Sequence, residues 1–95
     1  MREITVERES VCAADDQCNP LSMELQASDT ESIGTFVARI LACNFLQFGG
    51  SRYITGYASG RPIVRVFPNE NTQFLIASDT PVGTCLRKNR LKFIW

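Results

Sequence analysis

The sequence predicts an α+β domain, a single helix packed across a mixed sheet of four to five strands, and three observations predict it. Short runs in which apolar and polar residues alternate occupy both ends of the chain and much of its second half. One long segment, residues 33–41, switches from period 2 to the 3.6 period of a helix. Turn-forming residues separate the runs. One amphipathic helix covers one face of a sheet, which is the α+β solution to burying both apolar surfaces.

The first run, "EITVERE" (residues 3–9), alternates Ile4 and Val6 with polar neighbours and reads as strand 1. A connection containing "CAADDQC" follows, longer than a tight hairpin needs. "LSMELQA" (21–27) places Leu21, Met23, Leu25 and Ala27 on one face and Ser22, Glu24 and Gln26 on the other, as strand 2. Ile33, Phe36, Val37, Ile40 and Leu41 then fall on a helical stripe. Ser28, Asp29 and Thr30 carry side-chain oxygens suited to capping its start, with Glu31 completing a capping box. The helix is expected to reach about Leu46 and to be closed by Gly49 and Gly50.

Beyond the helix, "RYITGYA" and "PIVRVF" read as strands joined by a hairpin turn at "SGR", and "QFLIA" as a third after "PNENT". Pro81, followed by Val82, Cys85 and Leu86 at helical spacing, predicts a short helical turn weakened by Gly83. "LKFIW" closes the chain with Leu91, Phe93 and Trp95 alternating against Lys92 and Ile94. The word "ASDT" occurs twice, at 27–30 and 77–80, and each copy ends a strand-like run ahead of a helical start. The flanks do not match, so the repeat reads as shared junction chemistry rather than duplication, and neither copy reads as a site.

Ninety-five residues, with 44% apolar and 21% charged, bound a single domain spanning 1–95 with one modest core. No apolar run of signal-peptide length opens the chain, and nowhere do about 18 apolar residues run together, so a soluble, cytoplasmic protein is expected. Its four cysteines are then expected as reduced thiols, with Cys43 and Cys85 read as small buried hydrophobes. Net charge is zero but unevenly spread: residues 1–31 carry eight acids against two bases, −6, and residues 32–95 eight bases against two acids, +6. Such asymmetry marks an interaction surface or two halves that pair.

"EITVERE" followed by "LSMELQASDTESIGTFVARIL" resembles the first half of ubiquitin and its relatives, a β-hairpin whose second strand enters the helix through Ser-Asp-Thr. The resemblance covers about a third of the chain and implies a ubiquitin-like β-grasp fold. In that fold the last strand inserts parallel to strand 1, which would place acidic "EITVERE" beside basic "RKNRLKFIW". Ubiquitin-like modifiers act through a flexible diglycine tail. Here Gly49-Gly50 is internal and the sequence closes on "KFIW", so carrier chemistry is not expected.

The chemistry of the residues points away from catalysis. The chain has no histidine, which excludes Ser-His and Cys-His arrangements, and "FGGS" lacks the lysine of a phosphate-binding loop. No enzyme, cofactor or metal is expected. The alternative is a metal- or thiol-dependent protein using Cys12, Asp15, Asp16 and Cys18, although the spacing fits neither zinc nor plant-type iron-sulfur patterns. The basic run "RKNRLK" is weak grounds for nucleic acid in a chain of zero net charge.

A protein-binding surface is the better reading. If Ile54 and Ala58 face the helix, Tyr53, Thr55 and Tyr57 face water, and if Val64 and Val66 are buried, Ile63, Arg65 and Phe67 share that outer face. Aromatic rings with an arginine are the composition favoured at protein interfaces. Tyr53, Tyr57, Arg65 and Phe67 are therefore the candidate partner-binding residues, with Arg65 as polar anchor. The expected assembly is a monomer or weak dimer that binds a protein partner, without membrane attachment. Ubiquitin-like domains commonly bind through this sheet face, so the resemblance implies the same surface.

Overall fold

A computed structural model describes residues 1–9, 21–43, 45–46, 52–69 and 71–94. The helix ends at Ala42, capped at Cys43, short of the expected Leu46; Gly49–Gly50, the connection carrying Cys12 and Cys18, and Trp95 lie outside the described residues. In chain order the elements are β1 (Arg2–Arg8), β2 (Ser22–Ala27), α1 (Ile33–Ala42), β3 (Ile54–Ala58), β4 (Arg61–Val66), β5 (Thr72–Phe74), α2 (Val82–Cys85) and β6 (Arg90–Ile94).

The strands form one open mixed sheet in the order β2-β1-β6-β3-β4-β5. Its interior β1–β6 pair is parallel, with Val6 opposite Leu91, and every other pair is antiparallel. The sheet therefore has six strands rather than four to five, because residues 72–74 pair along β4 and add an edge. The single helix is likewise joined by a second, one-turn helix, α2.

Alternation decides which face each strand buries. Ile4, Val6, Leu91, Phe93, Ile54, Val64 and Val66 project to one side and are almost fully buried. They meet Ile33, Phe36, Val37 and Ile40 of α1 in one core. Each such side chain removed from water contributes roughly 1.5–3 kcal/mol. Gly56 sits at the centre of this face, where an added Cβ would lie 2.9 Å from Val64 Cγ1 and 3.0 Å from Phe93 Cε1. The Phe93 ring occupies the space that a side chain at 56 would need.

β3 and β4 are joined by Ser59 (φ 53°) and Gly60 (φ 82°), the two left-handed residues of the hairpin turn that matches strand twist. The register shifts at Gly56/Tyr57, with Val64 opposite Gly56 but Pro62 opposite Tyr57. Ile63 is the extra residue of this bulge. It is consequently buried beside Val64, at 4% exposure, rather than sharing the outer face as strict alternation predicts.

The two "ASDT" segments meet. The first amides of α1, Ile33 N and Gly34 N, donate to Thr80 O (2.8 Å) and Ser78 O (2.9 Å). Reciprocally, Val82 N and Gly83 N at the start of α2 donate to Glu31 O (2.7 Å) and Asp29 O (3.1 Å). Each junction thus satisfies helix-terminal donors of the other. Close approach of the two backbones explains the glycines: a Cβ on Gly34 would stand 3.1 Å from Ser78 O, and one on Gly83 3.1 Å from Asp29 O. The reciprocal bonds make 33 the counterpart of 82 and 34 the counterpart of 83, one residue out of step with the repeated word.

The cap of α1 is Ser32, whose Oγ accepts from Thr35 N at 3.1 Å, and not Ser28, Asp29 or Thr30. The expected capping groups are engaged elsewhere. Ser28 Oγ accepts from Thr30 N (3.1 Å), Asp29 Oδ1 accepts from Arg2 Nε (2.6 Å), and the Glu31 carboxylate holds Arg39 by two 3.0 Å bonds.

Candidate functional site

The face of the sheet opposite α1 is built from alternate residues of all six strands, and it divides into an ionic half and an aromatic half. On β1 and β2 the outward residues are Glu3, Thr5, Glu7, Ser22, Glu24 and Gln26. The Glu24 carboxyl, diagonal to Glu3 across the pair, pushes the Glu3 carboxyl above its ordinary value through hydrogen bonding and then like-charge repulsion. Parallel pairing sets Glu7 beside β6, and Arg90 Nε lies 3.2 Å from Glu7 Oε1. The acidic first strand and basic last strand are therefore neighbours, and part of the charge asymmetry is internal complementarity.

The aromatic half lies on β3 and β4. The Arg65 guanidinium carbon stands 5.2 Å from the centre of the Tyr53 ring, within cation–π range. Tyr53 and Phe67 are 5.9 Å apart, tilted at 52°. These three side chains form one contiguous stack, with Tyr53 39% exposed and Arg65 and Phe67 half-buried. Arg65 Nε is buried and has no hydrogen-bond partner among the described residues. Thr55, opposite Arg65 on β4 and Ile94 on β6, is 7% exposed although it points to this side, so the larger side chains around it rise above a β-branched floor.

The structure brings together three of the four residues chosen from sequence. Tyr57 is half-buried, lies beyond Thr55 opposite Lys92, and lines a separate hollow of about 270 Å³ with Ile94 and the β6 bases. A second feature was missed: Phe67, Pro68, Asn69 and Asn71 enclose a shallow hollow of about 500 Å³ at the β4–β5 turn, extending the stack to the sheet's edge. "FPNEN" reads only as a turn, and its role in prolonging an apolar surface emerges once Phe67 is placed.

Cys43 ends α1 and is exposed rather than buried, while Cys85 is half-buried. Burial raises the Cys85 thiol above its usual pKa, which keeps it protonated and a poor nucleophile. Among the described residues no group of three or more Cys, Asp or Glu is placed to hold a metal. The alternative set Cys12, Asp15, Asp16 and Cys18 lies outside the described residues. No helix among them is long and apolar enough to cross a membrane. Comparison with protein-family models, with curated proteins and with solved structures finds no match to this chain.

Proposed function

We propose that this chain is a ubiquitin-like β-grasp domain that performs no catalysis and binds a protein partner through the outer face of its sheet. Tyr53, Arg65 and Phe67 form the anchor, and Tyr57 flanks it. The fold assignment is supported by the hairpin that leads into α1, by the parallel pairing of first and last strands inside the sheet, and by a helix whose buried stripe covers one face only. The chain's lack of histidine and its unactivated Cys85 thiol favour binding over chemistry. Free thiols at Cys43 and Cys85 suit the reducing cytoplasm.

The observation that carries the reading is the Arg65 stack. An arginine held over a tyrosine ring beside Phe67, and half-exposed, is an ordered cationic and aromatic anchor for an incoming partner. Preorganisation reduces the entropy lost on binding, and Tyr and Arg are the residues that dominate interface energetics. The test is affinity capture from the native host with wild-type protein and with the Tyr53→Ala/Arg65→Ala variant, both checked for folding. A partner held by the wild type and lost by the folded variant supports the reading; a partner held equally by both refutes it.

A further inference from the structure

A second site lies away from the aromatic stack, where the β3–β4 turn approaches the α2–β6 turn. A hollow of about 530 Å³ opens there, within the size range of small-ligand pockets. Its base is apolar, supplied by Ala58, Ile63 and Ile76, and the bulge that turns Ile63 inward is what builds it. Three bases, Arg61, Arg87 and Lys88, line it, and among the described residues no acid does.

Of the seven bases outside this hollow, five are engaged by other side chains, while Arg52 and Lys92 are not, among the described residues. Arg2, Arg39 and Arg90 are each ion-paired, to Asp29, Glu31 and Glu7, and Arg8 and Arg65 stack on aromatic rings. Arg61, Arg87 and Lys88 have no ion pair or hydrogen bond from their side chains among the described residues. Three like charges lining one hollow with an apolar base favour an entering anion. The hydroxyls of Ser59 and Thr84 also line the hollow and can donate to it.

We infer that this hollow binds a small organic phosphate, a phosphate monoester carried on an apolar body. Two guanidinium forks and an ammonium match a dianion with several acceptor oxygens better than a single carboxylate. The apolar base matches the body of the ligand. Lys88 and Ser59 also line the neighbouring 270 Å³ hollow beside Tyr57, so a longer ligand extends in that direction.

The probe is phenyl phosphate, followed by amide chemical shifts and compared with inorganic phosphate and with phenol. Phenyl phosphate is expected to bind best, with shifts at Ser59, Ile63, Ile76 and Thr84, and to slow alkylation of Cys85, which shares the lining. Arg87→Glu/Lys88→Glu is expected to weaken it by about tenfold or more, the loss of charge-assisted bonds, while Tyr53→Ala leaves it unchanged. If the double reversal fails to fold, Arg61→Gln carries the same comparison with a smaller loss. Phenol binding as well as phenyl phosphate would overturn the anion site, and inorganic phosphate binding as well would remove the apolar body from it. Tighter binding of a single-stranded oligonucleotide that leaves Ile63, Ile76 and Cys85 unaffected would also overturn it, reading the bases as a phosphate-tracking surface instead.

Discussion

The two faces of the β3–β4 hairpin are made by neighbouring residues and obey different rules. On the inner face Ile54, Gly56, Val64 and Val66 are closed over by α1 and Phe93, and the fit is tight enough that a single added methyl at position 56 has no room. On the outer face Tyr53, Arg65 and Phe67 pack on one another, with Tyr53 exposed and Arg65 and Phe67 half-buried. The inner face is complete within the chain. The outer face is ordered without being complete, and that difference is the reason to assign it a partner.

The largest expected effect is on the inner face. Phe93→Ala should cost about 3–5 kcal/mol, because it removes a fully buried ring from the strand that joins both halves of the sheet. Urea unfolding with an unchanged slope checks it. Gly34→Ala tests the crossed junctions: alanine ordinarily gains about 1 kcal/mol over glycine in a helix, yet here the Cβ meets Ser78 O. The account predicts that this crowding outweighs the helical gain, with a net loss of about 1 kcal/mol in the same measurement. A gain would show that the crossing yields easily.

On the outer face the order is reversed, with little change in stability. Tyr57→Ala/Arg65→Ala should shift unfolding by no more than about 1 kcal/mol, since removing a buried, unpartnered Nε offsets the cation–π attraction that Arg65 gives up. A destabilisation of several kcal/mol would mean the tyrosine and arginine belong to the core. The smallest effect is ionic. Glu3 has a raised folded pKa, so its contribution favours the native state at low pH and is lost as pH rises through that raised value. Glu3→Gln should therefore gain thermal stability relative to wild type as pH rises past the carboxylate range. Asp29 has the opposite sign: its pKa is lowered by Arg2, and its contribution disappears as pH falls. Asp29→Asn should approach wild type in acid, as melting temperatures recorded across the same pH series would show.

The inner face was legible in the sequence because alternation reports burial directly. Ile4, Val6, Ile54, Val64, Leu91 and Phe93 all lie where period 2 places them. The stripe of α1 was equally clear, since Ile33, Phe36, Val37 and Ile40 are its buried residues. What escaped notice depends on events that a pattern cannot carry. Ile63 is buried by a bulge, which adds one residue without changing composition. The cap moved to Ser32 because Asp29 and Glu31 are engaged by Arg2 and Arg39, partners 27 and 8 residues away along the chain.

The candidate surface was legible in part for the same reason. Face assignment located Tyr53, Arg65 and Phe67, but the distance of Tyr57 from the stack and the basic hollow both depend on how turns meet in space. The repeated "ASDT" reads as shared junction chemistry, and the two junctions in fact meet, with hydrogen bonds one residue out of register with the letters. Local capping chemistry explains why similar words stand there, and the long-range crossing was not visible in either copy.

The central claim is that Tyr53, Arg65 and Phe67 bind a protein partner while contributing little to folding. The most direct measurement is the affinity of the captured partner, by titration calorimetry, for wild type and for Tyr53→Ala/Arg65→Ala with its melting temperature recorded in parallel. The account predicts at least about a tenfold loss of affinity with melting nearly unchanged, as expected when interface anchors are truncated. Unchanged affinity in a folded variant would contradict it.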